Sequence, residues 1–457
     1  MTALANSVQA RDIASLVHPG TDLFLHQSIG PQIIARGEGV YIYDDSGKQF
    51  LDAGGGLWCA SLGYASERLA KVAYEQMRTL GYYHLYRHNS HDNGVDLAEK
   101  LLQIAPVPMS KVLFQCSGSE ANDTAIKLVW YYHAAIGKPA KRKIIGRMGS
   151  YHGSTAAAIS ASGKPEFHAD FGLPFPGFRH TEFAHYYRRH VDGESEEQFA
   201  TRMADSLEAL ILEEGPDTVG GFLADPVSGG GGAVLPPRTY WEKMQAVLRK
   251  YDILFIADEV ICGFGRTGNM WGSQTYDLKP DMITCAKALA AAMQPISAVL
   301  INQRVFEAML DESRKLGSFA HGFTYAGHPV AAAVAMEVQR IYEELDIVGH
   351  VRRVGPYMQE SLARFADHPL VGDVRGVGLI AGIELMEDKA ARTPFDPKRR
   401  VGALAEKIAR RHGFISRFAG DRICFSPPLI ITEAEIDSMI DRVGRTLDET
   451  LSELRSN

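Results

Sequence analysis

Short apolar runs separated by segments of helical length are the feature that most constrains the fold of this 457-residue chain. One run, residues 253–257, ends at the acid pair Asp258 and Glu259, and a second, residues 281–286, ends at Lys287. Such runs are typical of buried strands in a parallel sheet. Because ligands bind beyond the carboxyl ends of these strands, we expect a carboxylate and an amine to face one crevice.

The pair of Asp258 and Lys287 suits pyridoxal phosphate. An amine can form a Schiff base with the aldehyde of that cofactor, and a carboxylate can keep its pyridine nitrogen protonated so that the ring withdraws electrons. For either residue alone, a buried ion pair or a solvated surface charge is the simpler alternative, since most charged side chains lie on the surface.

The alternation of strands and helices from about residue 95 to 325 indicates a doubly wound, mostly parallel sheet of α/β class. Strands are predicted from apolar runs, and helices from apolar residues that recur every three or four positions. The predicted strands are 112–116, 143–146, 219–224 and 296–301, and the predicted helices are 66–80, 93–104, 121–133 and 240–248.

The two ends of the chain predict a smaller α+β domain. Residues 1 to about 35 are expected to be irregular, and residues 40–52 to form a β-hairpin. From Pro329 a long helix begins, and the final helix is expected to start at a capping box of Thr432 and Glu435. Between them we expect strands at 379–385, 414–416 and 423–425 and a helix near 401–412. The predicted boundaries are 1–75 and 329–457 for the small domain and 76–328 for the large one.

Three glycine-containing segments are candidates for a phosphate- or nucleotide-binding site, and the sequence favours only the first. Ser117 and Glu120 form a capping-box pattern around Gly118, and free amides at such a helix start can bind phosphate. The run 229–232 lacks the Gly-Lys-Ser/Thr ending of a P-loop, so a flexible loop is expected. The G-x-G-x-x-A string in 374–382 precedes a predicted strand rather than a helix, which argues against a dinucleotide site.

Composition narrows the class of protein. The net charge of -7 argues against nucleic acid as a partner, and no apolar stretch is long enough to suggest a membrane span. The first five residues lack the pattern of a signal peptide. Five scattered cysteines fit reduced thiols rather than disulfides or a metal site. We expect a soluble cytoplasmic enzyme that binds no metal.

Five motifs in order resemble those of class III (omega) aminotransferases of pyridoxal-phosphate fold type I, in the amine or omega-amino acid:pyruvate subgroup. They lie at residues 117–123, 151–155, 258–268, 286–289 and 321–325. The resemblance covers about residues 35 to 450. It implies a fold type I architecture and pyridoxal 5'-phosphate as the cofactor.

The resemblance also implies roles at matching positions. Lys287 would be the Schiff-base lysine and proton carrier, and Asp258 would pair with the pyridinium nitrogen. Thr324 would reach the phosphate from a second subunit, so the protein would be a homodimer with shared active sites, and pairing into a tetramer stays open. The other implied cofactor-binding residues are Ser117, Gly118, Ser119, Tyr151, His152, Asp225 and Val260, and the implied substrate residues are Trp58, Tyr86 and Arg417.

Two departures from the family pattern bear on the substrate. Asp225 stands where the family usually has glutamate, so its supporting hydrogen bonds must reach further. Ala288 and residues 290–292 replace a segment that is commonly rich in glycine and serine, with a tyrosine before the proline.

The expected function is transfer of an amino group from an amine or omega-amino acid to pyruvate, in a ping-pong cycle through pyridoxamine phosphate. One alternative is a 2-oxoglutarate-using enzyme of the ornithine or diamine type. Another is a non-catalytic pyridoxal-binding regulator, which the presence of Lys287 disfavours.

Overall fold

A computed structural model describes residues 6–456. Most predicted elements are present within two or three residues of their expected bounds. The helices are α1 (Val8–Ser15), α2 (Leu23–Ile29), α3 (Gly55–Trp58), α4 (Glu67–Leu80), α5 (Asp92–Ile104), α6 (Gly118–Ala135), α7 (Ala156–Ala161), α8 (Pro165–His168), α9 (Tyr186–Arg189), α10 (Glu196–Glu214), α11 (Tyr240–Lys250), α12 (Gly272–Thr275), α13 (Gln303–Leu316), α14 (Pro329–Glu344), α15 (Ile347–Ala363), α16 (Val401–Arg411) and α17 (Glu433–Ser456).

The strands form three separate sheets. They are β1 (Ile34–Glu38), β2 (Tyr41–Asp44), β3 (Gln49–Asp52), β4 (Lys111–Gln115), β5 (Lys143–Arg147), β6 (Phe178–Thr181), β7 (Val219–Ala224), β8 (Leu254–Asp258), β9 (Met282–Cys285), β10 (Ser297–Ile301), β11 (Val371–Val377), β12 (Ile380–Leu385), β13 (Phe414–Ile415), β14 (Arg417–Phe418) and β15 (Arg422–Phe425).

The largest sheet has seven strands in the order β4-β10-β9-β8-β7-β5-β6. Only β10 runs against its neighbours, β4 and β9, and the other pairs are parallel. The prediction of a mostly parallel sheet is therefore confirmed. In particular β8 and β9 are parallel neighbours, so their carboxyl ends open on the same edge.

Side chains of the central strands are buried on both faces of this sheet. Phe222 packs with the core on the α10 and α11 side, and the next residue, Leu223, packs with the core on the α6 and α13 side. Phe255 and Ile256 on β8 divide in the same way. Because successive side chains of a strand point to opposite faces, this division places helices on both sides, as in a doubly wound domain.

Two smaller four-stranded sheets hold the parts of the chain near both ends. The predicted hairpin forms β2 and β3, and β13 joins β3 in parallel through Phe414 and Leu51. The G-x-G-x-x-A string lies in the antiparallel pair β11 and β12, which confirms that no helix follows it. The predicted cap of α17 is present, because Thr432 Oγ1 accepts from the Glu435 amide and the Glu435 carboxylate accepts from the Thr432 amide.

The prediction that the first 35 residues are irregular is wrong for the described part of them, because α1 and α2 lie there; residues 1–5 fall outside the described range. Ser7 caps α1 and Asp22 caps α2. His18 and His26 both lie within hydrogen-bonding distance of Asp12, which ties the two helices together. Between residues 6 and 456, every helix is too short or too polar to cross a lipid bilayer.

Candidate active site

Asp258 and Lys287 lie at one edge of the large sheet. Asp258 is the last residue of β8 and pairs in register with Thr284 on β9, so Lys287 follows its partner by three positions. Lys287 has a left-handed backbone with φ of 47°, which is uncommon for a residue with a side chain and is concentrated at functional sites. The predicted carboxylate and amine are therefore brought together.

The Asp258 carboxylate is almost fully buried and accepts three hydrogen bonds. His152 Nδ1 lies 2.7 Å and Asn122 Nδ2 2.9 Å from Oδ2, and the Val260 amide donates to Oδ1 at 3.0 Å. Charge-assisted hydrogen bonds of this kind hold a buried carboxylate in place. The acid is thus oriented before any ligand binds.

A second layer of hydrogen bonds holds the donors to Asp258. Asn122 Nδ2 also donates to the His152 carbonyl at 2.7 Å, and its Oδ1 accepts from Thr284 Oγ1 at 2.8 Å. The His152 amide donates to Ser162 Oγ at 2.8 Å. Asn122, Thr284 and Ser162 were given no role in the sequence analysis, although Asn122 lies within the 117–123 motif.

The amine of Lys287 is largely withdrawn from water. Burial lowers its pKa to about 8, against the opposing effect of Asp258, and the nearby cation Arg417 lowers it further. An amine with a pKa near neutral is partly deprotonated at physiological pH. It can therefore act as a nucleophile and as a general base.

The predicted phosphate-binding residues lie at the start of α6. Ser117 Oγ accepts from the Glu120 amide at 3.2 Å, and the Glu120 carboxylate accepts from the Cys116 amide at 2.8 Å, one residue earlier than in a standard capping box. Gly118 opens the helix, and a Cβ added to it would lie 3.0 Å from Val260 Cγ1. The missing side chain keeps the helix amides open to a ligand.

The loop of residues 151–155 packs against this helix start. The Ser154 amide donates to Ser119 Oγ at 3.0 Å, and Thr155 Oγ1 donates to the Ser119 carbonyl at 3.2 Å. Tyr151 is half-buried, with its ring 5.8 Å from that of Phe167. His152 Nε2 is buried and has no hydrogen-bond partner among residues 6–456.

Asp225 supports the site through a buried ion pair. Its Oδ1 accepts from Arg147 Nη2 at 2.5 Å, and its Oδ2 accepts from the Gly229 amide at 3.1 Å. The shorter acid thus reaches Arg147 on β5 and fixes the start of the 229–232 glycine run. Arg147 is a partner that the sequence analysis did not identify.

The three predicted substrate residues have different environments. Trp58 is only 2% exposed and packs beside Gly229, and its Nε1 has no hydrogen-bond partner in the part of the chain that the structure describes. Arg417 is half-buried on β14, with no ion pair to any residue from 6 to 456. Tyr86 is exposed, and its hydroxyl lies beside Gly322.

Thr324, the predicted contact from a second subunit, is also exposed. Its carbonyl accepts from the Tyr82 hydroxyl at 2.8 Å. No hydrogen bond, ion pair or ring contact within residues 6–456 joins Tyr86 or Thr324 to Asp258 or Lys287. A single chain therefore assembles the acid, the amine and the helix start, and leaves these two residues on its surface.

The groups on this sheet edge fit pyridoxal phosphate. They comprise an amine of lowered pKa, a buried and oriented carboxylate, helix amides opened by Gly118, and an unpartnered buried nitrogen on His152. This set combines covalent attachment, a counter-charge for a ring nitrogen and an anion seat.

Comparison with known proteins identifies the family. The class III aminotransferase profile matches residues 26–447. Gamma aminobutyrate transaminase 3, chloroplastic, of Solanum lycopersicum is 46% identical over 464 residues, covering 100% of this chain and 89% of that protein. Gamma-aminobutyrate transaminase 1, mitochondrial, of Oryza sativa subsp. indica is 48% identical, covering 96% of this chain and 86% of that protein.

Solved structures agree with this assignment. The omega transaminase from Pseudomonas jessenii in complex with PMP superposes with a TM-score of 0.96 at 51% identity, covering 98% of both chains. The expected fold type I architecture is thereby confirmed. This chain belongs to the class III aminotransferases, which use pyridoxal 5'-phosphate to move an amino group from an amine donor to a keto acid.

Proposed function

We propose that this aminotransferase transfers an amino group from an amine or omega-amino acid to pyruvate by a ping-pong mechanism. The observation that carries the proposal is the placement of Arg417. This guanidinium has no acid partner within the described part of the chain, yet it is close enough to Lys287 to lower the pKa of that amine. A guanidinium in this position suits the carboxylate of a keto acid.

Lys287 and Asp258 have the central roles in this proposal. The bound cofactor supplies the electron sink and carries the amino group between the two half-reactions. Lys287 Nζ would accept and hold the proton that leaves the substrate carbon, which its lowered pKa allows near neutral pH. Asp258, fixed by His152 and Asn122, would supply the negative charge that pairs with a protonated ring nitrogen when the cofactor is bound.

The remaining cofactor contacts follow from the geometry around α6. We propose that the amides and hydroxyls of Ser117, Gly118 and Ser119 bind the phosphate, supported by Thr324 of a second subunit. Tyr151 and Val260 would enclose the ring from its two faces. His152 and Asp225 act by holding Asp258 and the 229–232 loop in position.

The substrate pocket is proposed to be lined by Trp58, Tyr86 and Arg417. Trp58 offers an apolar wall with a free indole N–H, which suits a hydrophobic donor. Arg417 binds the carboxylate of the acceptor, and a long flexible side chain can move aside for an uncharged amine. The relatives named for gamma-aminobutyrate support an omega-amino acid donor.

We further propose a homodimer with shared active sites. Exposed aromatic and apolar side chains surround the two surface residues that the site needs, and a patch of this kind marks an interaction surface. They include Tyr82, whose hydroxyl donates to the Thr324 carbonyl, Tyr325, whose ring contacts that of Tyr82, and Tyr83. Mixing a Lys287→Ala chain with a Thr324→Ala chain should restore activity in hybrid dimers if Thr324 acts across the interface, and light scattering will distinguish a dimer from a tetramer.

The domain division and the location are also proposals. The boundaries 1–75, 76–328 and 329–457 are supported by the pairing of β3 with β13, which joins the first and last parts in one sheet. A cytoplasmic location is supported by five free cysteine thiols, although the two plant relatives are named as chloroplastic and mitochondrial. Limited proteolysis tests the boundaries, and cell fractionation tests the location.

Replacement of the reactive amine tests the proposed function most directly. Lys287→Ala should abolish turnover with every donor and remove the absorbance of the lysine-bound cofactor. The matched control is Lys279→Ala, which removes an exposed lysine just before β9 and should keep both. Activity retained by Lys287→Ala would contradict the assignment.

The acceptor requires a separate measurement. The enzyme is first converted with an amine donor and then mixed with pyruvate or with 2-oxoglutarate. Faster return of the absorbance with pyruvate supports the proposal, and faster return with 2-oxoglutarate would support the alternative of an ornithine- or diamine-type enzyme.

A further inference from the structure

A buried lysine close in sequence to the residues that hold His152 has only one acid as a partner, and that acid is exposed. Lys164 is only 8% exposed. Its Nζ lies 3.6 Å from Glu166 Oε1, and the side chain of Glu166 is itself 64% exposed. No other acid lies within ion-pair distance of Lys164 among residues 6–456. A buried ammonium with so little compensation is costly.

A second buried lysine shows how this chain satisfies such a group where its role is structural. Lys141 is 3% exposed, and its Nζ donates to the Tyr251 carbonyl at 2.8 Å and to the Asp252 carbonyl at 2.9 Å. Lys164 has no comparable acceptors in the described structure. This contrast suggests an interpretation in which a bound ligand, rather than the protein, provides the acceptor for the Lys164 ammonium.

The backbone around Lys164 is fixed to the cofactor side of the pocket. Ser162 Oγ accepts from the amide of His152, the residue that holds Asp258. Gly163 lies so close to the backbone of Arg147 and Met148 that a Cβ would collide with it, and its carbonyl accepts from the Gly149 amide at 2.8 Å. Lys164 therefore extends from a rigid point next to the proposed ring site.

Two arginines add positive charge near Lys164. Burial lowers the pKa of Lys164 most, and the positive charges of Arg422 and Arg417 lower it further. Arg422 is already committed, because its Nε donates to the Ala419 carbonyl at 2.9 Å and its Nη1 to the Gly231 carbonyl at 2.7 Å. The positive charge of Arg417 lowers the pKa of both Lys287 and Lys164, so the three cationic side chains share one region of the molecule.

We propose that Lys164, together with Arg417, binds the carboxylate of an omega-amino acid donor and thereby selects acid-bearing amines over neutral ones. The inference rests on the proposed function, since it names the donor class of the same site. A ligand carboxylate bound between the two cations would accept a hydrogen bond from Lys164 Nζ, and residues 6–456 provide no comparable acceptor. A neutral amine provides no carboxylate for Lys164, which then stays buried with only the exposed Glu166 nearby. A polar site rejects an analogue when that analogue leaves a buried polar group without its partner.

The test compares two donors of equal chain length, 4-aminobutanoate and butylamine, on the holoenzyme and on Lys164→Met. We expect the KM for 4-aminobutanoate to rise about tenfold, as for loss of one charged hydrogen bond. The kcat for 4-aminobutanoate and the KM for butylamine should stay within about twofold. Lys164→Arg should keep the preference, and Lys279→Met is the control for removal of an exposed lysine.

A binding measurement gives a second readout that does not depend on turnover. Butanoate cannot be transaminated, so calorimetry on the holoenzyme reports its Kd directly. Lys164→Met should weaken butanoate about tenfold and leave butanamide unchanged. Equal changes for both donors, or unchanged butanoate binding, would overturn the proposal. If the wild-type holoenzyme transaminates neither donor, the proposed function fails, and butanoate binding still decides the role of Lys164.

Discussion

The two ends of the proposed pocket, the cofactor end around Asp258 and the substrate end around Arg417 and Lys164, differ in how their charges are satisfied. At the cofactor end, the Asp258 carboxylate accepts three hydrogen bonds, and its donors are themselves held by further polar groups. At the substrate end, Arg417 has no ion pair within residues 6–456, and Lys164 has one exposed acid at 3.6 Å. The acid at the cofactor end is fully hydrogen-bonded within the chain, whereas the two cations at the proposed substrate end have almost no acid partners in the described residues.

This difference separates two kinds of binding. A permanent cofactor benefits from groups that are oriented in advance, because no reorganisation is needed during the reaction. A substrate that is exchanged every cycle is recognised by charges that stay unpaired until it arrives. Changes at the cofactor end should therefore reduce catalysis with every donor, and changes at Lys164 should discriminate among donors.

The largest expected effect comes from removal of the negative charge at the cofactor end. Asp258→Asn should lower kcat/KM about 10³-fold with all donors, because loss of one partner from a buried charged pair costs roughly 3–5 kcal/mol. Steady-state kinetics with a charged and a neutral donor will measure it. A donor-dependent loss would contradict the distinction between the two ends.

Glu259→Gln is the matched control. Glu259 is the next residue and is fully buried, but its hydrogen-bond donors differ from those of Asp258, because it accepts from the Gly272 amide at 2.9 Å and the Ser273 amide at 2.5 Å. Its replacement should lower the free energy of unfolding and leave kcat/KM of the folded enzyme within about threefold, since such a loss concerns packing and amide contacts alone.

A smaller effect is expected when the hydrogen-bond network is loosened without removal of the acid. Asn122→Ala removes one donor to Asp258 and the acceptor of Thr284. Loss of such an outer contact typically costs 10–100-fold, so kcat/KM should fall by about that factor. Equilibrium dialysis should show weaker binding of pyridoxal phosphate. If Asn122→Ala has the kcat/KM and the cofactor affinity of the wild-type enzyme, then His152 and the Val260 amide are sufficient to hold Asp258.

The lowered pKa of Lys287, which lies between the two ends, predicts that the free energy of unfolding depends on pH. The pKa of Lys287 is lowered to about 8 in the folded protein from 10.5. Between these values the unfolded chain holds a proton that the folded chain has lost, so the stability of the cofactor-free protein should rise with pH, and below about 8 this contribution stays constant.

The expected rise is about 2 kcal/mol across that window, since solvent screening reduces the full shift. Urea unfolding at pH 8, 9 and 10 measures it. The cofactor-free Lys287→Met variant should lack this rise, and an equal rise in both proteins would assign it to other groups.

The smallest effect concerns backbone strain beside Lys287. Ala292 is exposed and has a φ of 66°, a left-handed conformation that costs a residue with a side chain roughly 1 kcal/mol. Ala292→Gly should raise the free energy of unfolding by about 0.5 kcal/mol after the greater entropy loss of glycine on folding. Ala291 has a φ of 49° but is buried, so Ala291→Gly also removes a buried methyl group. The free energy of unfolding should therefore not increase. Denaturant titration compares the two, and destabilisation by Ala292→Gly would show that this turn is not strained.

The central strands were predictable because both of their faces are buried. Neighbours such as Phe222 and Leu223 are both apolar for that reason. The edge strand β6 was not predicted, because its four residues include Arg179 and His180. Helices α1 and α2 were missed although Ser7 and Asp22 supply readable caps, since both helices are short and lie around the breaker at residues 18–20.

At the site, the acid and the amine could be predicted from the residues themselves, whereas the polar residues that hold the acid could not. Asp258 and Lys287 are conspicuous because each ends an apolar run. Asn122 and Thr284 resemble any polar residues of a helix or strand, and only their three-dimensional contacts reveal a role. Lys164 precedes a proline and looks like a surface loop residue, because its burial depends on parts of the chain far away in sequence.

The close approach of Gly118 and Val260 has a consequence for how this pocket can change. A methyl group at position 118 would lie 3.0 Å from Val260 Cγ1, so a larger residue there requires the valine to shift or to be replaced by a smaller residue. The two positions are therefore coupled, so the effect of a substitution at one depends on the residue at the other. Libraries that vary them singly will miss functional combinations, and joint variation of both is the route to new shapes at this seat.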